Sequence, residues 1–99
     1  MTIHISEDAL DDLNEGFLFY DAQASGLGDY FTSCLRADIE GLRFSAGTHR
    51  IVEEDYHRVL SRIFPCGIFY TIEQPAVIIW AVIDLRRDPG WIRQKLGGI

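Results

Sequence analysis

The sequence predicts an α+β fold in which an N-terminal strand, a helical hairpin, a three-stranded antiparallel meander and a short C-terminal helix form one domain over residues 1–99. Three observations predict it. Apolar residues recur at helical spacing in two consecutive stretches, Leu10 to Tyr20 and Leu27 to Leu42. Three strand-like runs follow from Tyr56 to Ile83, divided by Phe64-Pro65 and Gln74-Pro75, and proline belongs at a turn or edge because it cannot donate to a ladder. Finally, 47% apolar residues in a chain of 99 suffice for a single core without a metal or disulfide staple.

Each element has a local reason. Thr2 to Ile5 alternates weakly and needs a partner strand from later in the chain. Ser6 is placed as a helix N-cap, with Glu7 and Asp8 in the first turn, where the helix dipole favours anions. Leu10, Leu13, Phe17 and Tyr20 then form the apolar stripe of a helix of about four turns, with Asp11, Asp12 and Glu15 on other faces. Gln23 to Gly28 breaks it with two glycines. A second stripe, Leu27, Tyr30, Phe31, Cys34, Leu35, Ile39 and Leu42, ends at Ser45-Ala46-Gly47. The aromatics Phe17, Phe19, Tyr20, Tyr30 and Phe31 read as core.

His49 to Asp55 is polar and is an approach strand or a loop. Tyr56 to Phe64 reads as a strand with Arg58 and Arg62 on one face and His57, Val59, Ser61 and Ile63 on the other. Cys66 to Ile72 is the next. Ala76 to Ile83 is apolar throughout, the pattern of a central strand buried on both faces and the natural partner for the N-terminal strand. Asp88-Pro89 supplies a cap and a proline at the first helical position, opening a helix of barely two turns that ends at Gly97-Gly98 and must dock to be stable.

Charge is divided unevenly. Residues 1–55 carry three arginines against twelve carboxylates, whereas residues 56–99 carry six basic residues against three carboxylates. The net charge of −6 argues against a general nucleic-acid binder, because phosphate binding needs clustered cations. A local positive field on an acidic protein softens that objection. No window reaches the roughly 18 apolar residues of a membrane span, and the N-terminus lacks a signal-peptide pattern, so a cytoplasmic protein with no membrane partner is expected. Cys34 and Cys66 lie 32 residues apart without metal-ligand spacing; they read as small core residues, and no metal or cofactor is expected.

Several separated motifs agree in order and spacing with one family. They are Gly16-Phe17-Leu18-Phe19-Tyr20, Gly26-Leu27-Gly28-Asp29-Tyr30-Phe31, Ala46-Gly47-Thr48-His49, Tyr56 to Arg62 with Phe64-Pro65, and Ala81-Val82-Ile83-Asp84 with Arg86 to Ile92. In these the chain resembles the RelE/ParE toxins of bacterial type II toxin-antitoxin modules, in the branch labelled plasmid-stabilisation proteins. The resemblance implies a growth-inhibiting toxin neutralised by a cognate antitoxin. RelE-like members cut messenger RNA on the ribosome and ParE-like members poison DNA gyrase, so the fold alone does not choose between these targets.

The nuclease reading needs a proton shuttle and cations to hold the developing phosphorane charge. His57 is the better shuttle, beside Tyr56, since histidine titrates nearest neutrality. Arg58, Arg62, Arg86 and Arg87 are candidate cations; Arg62 matches the family's basic position on the first meander strand and Arg86-Arg87 its basic pair after the last. Each has a plainer reading: Arg58 or Arg62 pairing with a surface carboxylate, Arg86 anchoring the last strand to the second helix, His57 structural. Departures from the family point away from RNA cleavage. Ile63 stands where a basic residue is common, Cys66 where an aromatic is, Glu53-Glu54-Asp55 would repel phosphate, and Lys95 is the sole lysine. The binding reading places the target or antitoxin contact on Arg58, Trp91, Ile92, Arg93 and Leu96. A third reading is a degenerate, non-toxic antitoxin-binding module.

Overall fold

The structure, a computed structural model, describes residues 1–53 and 55–99; Glu54, the middle of the acidic triplet, lies outside the described residues. In chain order the elements are β1 (Thr2–Ile5), α1 (Glu7–Gln23), α2 (Leu27–Glu40), α3 (Leu42–Ser45), β2 (Ile51–Glu53), β3 (Tyr56–Leu60), β4 (Cys66–Glu73), β5 (Ala76–Asp84) and α4 (Pro89–Gly97). The expected α+β architecture is the one found. The strands form one sheet in the order β1-β5-β4-β3-β2, with β1 parallel to β5 and the remaining pairs antiparallel.

Three expectations need correction. The meander gains a fourth strand, because Ile51 and Glu53 of the polar approach segment pair with His57 and Tyr56. The strand beginning at Tyr56 stops at Leu60 rather than Phe64, since Ser61 turns the chain by donating its amide to the Cys66 carbonyl at 2.9 Å. Arg62 therefore lies outside the strand and does not share a strand face with Arg58. The second helix is interrupted at Gly41, after which a separate turn, α3, buries Leu42. The last helix has nine residues and is capped as expected, the Asp88 carboxylate accepting from the Trp91 amide at 3.1 Å.

Burial divides the sheet into two unequal faces. The hairpin face holds the larger core, with Leu13, Phe31, Leu35 and Ile39 from the helices against Ile68, Tyr70, Val77 and Ile79 from the sheet. The other face holds Phe69, Ala81 and Ile83 under Leu96 of α4. A register shift between β4 and β5 pairs Tyr70 with Ile79 and Phe69 with Ala81, leaving Trp80 as an extra residue. That bulge keeps Ile79 and Val82 both on the hairpin face, which strict alternation could not do. Trp80 and Ala81 consequently share the opposite face, where the Trp80 Nε1–H donates to Thr71 Oγ1 at 2.8 Å.

Glycines allow the helices to meet. Gly26 opens α2 with φ +89°, and the Asp21 carboxylate of α1 accepts from the amides of Gly26 (3.0 Å) and Gly28 (3.2 Å). The first turn of the second helix is thus capped from the first helix. Of the aromatics read as core, only part is interior. Phe31 is buried and stacks with Tyr20 at 5.0 Å, but Phe19 and Tyr30 are each at least half exposed.

Beneath α3, the hydroxyl of the fully buried Tyr70 accepts from the Gly47 amide at 3.2 Å and lies 2.7 Å from His49 Nδ1. Burial, and then the neighbouring His57, hold His49 below its ordinary pKa of 6.5, so the ring is neutral and Nδ1 can accept a hydrogen bond from the Tyr70 hydroxyl. Tyr70→Phe removes both contacts at once and is expected to cost roughly 1–3 kcal/mol in urea unfolding; an unchanged midpoint and slope would show that the hydroxyl holds nothing. Because the folded pKa of His49 is depressed, its contribution to stability is present above pH 6.5 and lost as pH falls through the folded value.

Candidate functional site

Beyond Ile5 the chain leaves the sheet to begin α1, but β5 runs on to Asp84, so its edge past Ile79 has no strand beside it. The start of α1 supplies the missing partners. Ser6, the N-cap, donates its amide to the Ile79 carbonyl at 3.0 Å and accepts from the Ala9 amide at 3.1 Å. One turn later, Asp12 Oδ2 accepts from the Val82 amide at 2.9 Å, while Oδ1 accepts from Lys95 Nζ of α4 at 2.7 Å. A side chain expected on the outer face of α1 is therefore buried, its side chain 6% exposed. The sequence did carry a signal for this, since Asp12 lies three residues after Ala9 and directly before Leu13, both core.

Between α1, the end of β5 and α4 this junction opens into a cleft of ≈ 440 Å³. Phe19 and Trp91 are its exposed aromatic walls, Phe31 and Val82 part of its floor, and Glu15, Asp84 and Arg87 its charged rim. Gly16 makes the floor possible, because a Cβ there would sit 2.4 Å from the Phe31 ring. The Arg87 guanidinium lies 4.2 Å from the centroid of the Trp91 ring, a cation–π contact that fixes both on the rim.

Electrostatics here favours fixed charges over reactive groups. Burial raises the Asp12 pKa, against the lowering by Lys95 and the Val82 amide. Asp84 is held below the ordinary carboxylate range, chiefly by its hydrogen bond to Arg86, whose Nη2 lies 2.6 Å from Asp84 Oδ2. Burial raises Cys66 to about 11, leaving a protonated thiol rather than a nucleophile. Both cysteines are free, as the sequence suggested.

The residues nominated for catalysis are engaged by different partners. Arg62 Nε lies 3.1 Å from Asp38 Oδ1 on α2, so it is Arg62, and not Arg86, that reaches the second helix. Arg86 folds back on its own strand's Asp84 through a bidentate pair. His57 is on the hairpin face, stacked on Tyr70 with centroids 5.1 Å apart, and its Nδ1–H donates to the His49 carbonyl at 2.7 Å. Arg58, opposite Phe69, belongs to the other face of the sheet. Arg87, Trp91 and Lys95, by contrast, do converge on the cleft. Within α4 the binding candidates separate: Leu96 is buried and Ile92 packs beside it, so both dock the helix, whereas Trp91 and Arg93 face outward.

No family model matches the sequence, and no curated protein matches it. A solved chain described as "Chromosomal ParDE TA system from P. aeruginosa" superposes with a TM-score of 0.79, covering 85% of this chain and 95% of that one at 12% identity. This chain has the same fold. At that identity the likeness is one of architecture, and it agrees with the RelE/ParE-like arrangement of strand, helical hairpin and meander expected from the sequence. Among the described residues, no helix is long and apolar enough to cross a membrane.

Proposed function

We propose that this chain is the toxin of a type II toxin-antitoxin module, neutralised by a cognate antitoxin and acting by binding a macromolecular target, DNA gyrase before the ribosome. The observation that carries this reading is the fold shared with a ParDE system chain over nearly that chain's whole length. Against ribosome-dependent RNA cleavage stands the dispersal of its required groups. Arg62 and Arg86 are each engaged by a carboxylate, and His57 and Arg58 occupy opposite sheet faces. A phosphorane needs cations converging on one point, together with a proton shuttle.

The contact surface in this reading is the outward side of α4, with Trp91, Arg93 and Arg87, continuous with the cleft toward Phe19. An antitoxin side chain of apolar character would fill the gap between the Phe19 and Trp91 rings, the kind of central anchor that dominates interface energy. Trp91→Ala is expected to weaken antitoxin affinity by about tenfold or more in a titration; unchanged affinity would remove α4 from the interface. For the target, purified chain is added to a gyrase supercoiling reaction and to a translating extract. Loss of supercoiling with intact messenger RNA is expected. Codon-positioned RNA cleavage that disappears in an Arg62→Ala, Arg86→Ala double variant would establish the endonuclease instead, and no effect in either would leave a non-toxic antitoxin-binding module.

A further inference from the structure

α4 covers only the part of its sheet face formed by Phe69, Ala81 and Ile83. Toward the β4–β5 hairpin the same face opens into a groove of ≈ 380 Å³, lined by Asp55, Tyr56, Thr71, Glu73, Trp80 and Ile99. None of these residues lines the cleft between α1 and α4. Trp80 supplies the key wall. On this face its indole N–H donates to Thr71 Oγ1, and the Thr71 hydroxyl in turn donates to Glu73 Oε2 at 3.4 Å. The indole's polar edge is thereby satisfied within the protein, and its ring is left as an apolar, electron-rich wall.

The carboxylates of the groove are among those that no cation neutralises within the described residues. Asp12, Asp38, Glu40 and Asp84 each hold a cation, whereas neither Asp55 nor Glu73 takes part in an ion pair among the described residues. No arginine, lysine or histidine lines the groove. Phosphate is repelled by such a surface, and a guanidinium or ammonium is attracted both by the carboxylates and by the face of an indole. Asp55 closes the acidic triplet that the sequence places directly before β3, so one of the residues that argue against RNA also lines this groove.

We infer that this groove is a docking surface for a basic segment of a partner protein, an extended stretch whose arginine or lysine side chain lies between Asp55 and Glu73 and against the Trp80 ring. The charge complementarity is one-sided, since the groove offers carboxylates and π surface and no donor cation of its own. Affinity for such a segment falls with salt, because the contacts are at the surface.

The test is a titration of the full-length ¹⁵N-labelled chain with a hexa-arginine peptide, with hexa-glutamate and a single-stranded RNA hexamer run in parallel. The expected result is a saturable shift of the Trp80 indole N–H and the Thr71 and Glu73 amides with hexa-arginine, while the Trp91 indole stays in place as an internal reference. Glu73→Gln keeps an acceptor for Thr71 and is expected to weaken binding by about fivefold, its spectrum reporting at the same time that the fold is intact. Shifts spread over the acidic first turn of α1 without saturation at Trp80, an affinity unchanged in Glu73→Gln, or RNA shifting Trp80 where hexa-arginine does not would each overturn the assignment.

Discussion

Asp12→Ala is expected to cost about 3 kcal/mol of unfolding free energy and to loosen α4 from the body of the protein, the largest single effect outside the hydrophobic core. The substitution leaves the Val82 amide without its acceptor and Lys95 without its counterion. Asp12→Asn keeps an oxygen for Val82 and loses only the charge, so it is expected to cost roughly half as much. Neither figure means that the ion pair is a net source of stability, since a buried pair repays little of the desolvation it requires. What the pair does is register α1, β5 and α4 against one another. The pH dependence follows from burial. The Asp12 pKa is raised above its ordinary 3.8, so its contribution is fully present below pH 3.8 and lost as pH rises through the folded value. The stability gap between wild type and Asp12→Asn therefore narrows as pH rises in denaturant titrations; a gap that widens would mean that Lys95 outweighs burial.

A comparable loss is expected from Gly28→Ala. A Cβ at this position would lie 2.6 Å from the Phe17 carbonyl oxygen and 2.8 Å from Asp21 Cβ. A backbone atom cannot swing aside as a side chain can, so α1 and α2 must separate, at a cost of about 2 kcal/mol that alanine's better helix propensity only partly offsets. Gly26→Ala is the informative control. Nothing lies within 4 Å of its Cβ position, yet φ is +89° there, so its cost is one of backbone conformation alone, on the order of 1 kcal/mol. Thermal or chemical unfolding of the two variants separates close approach from strain. Gly28→Ala as stable as wild type would show that the hairpin accommodates a methyl between its helices.

The candidate cleft was only partly legible in the sequence. Trp91 was nominated as a contact residue and Arg87 as a cation after the last strand, and both line it. Asp12 was legible only through its place beside Ala9 and Leu13, because a carboxylate on an amphipathic helix is ordinarily read as solvent-facing, and the reason for its burial is a backbone amide seventy residues away. The arginines were legible as cations but not as a site. Their partners, Asp38 for Arg62 and Asp84 for Arg86, are set by where the chain turns after β3 and β5. Leu96 was nominated for binding because it is apolar in a short terminal helix; the structure uses it instead to attach that helix to the sheet.

What the sequence determined by itself is local and periodic. Ser6 and Asp88 cap their helices, the two long helices start where their caps and spacing put them, and the unbroken apolar run from Ala76 to Ile83 is the central strand that receives the N-terminal one. Those features depend on nearest neighbours and on burial of a face, both of which spacing encodes. Only the tertiary structure decided the rest: the Trp80 bulge, the end of β3 at Leu60, the pairing of Ile51 with His57, and the buried bridge from Asp12 to Val82 and Lys95. Each of these answers a backbone group or charge brought close by folding, and no local pattern specifies which distant partner will arrive there.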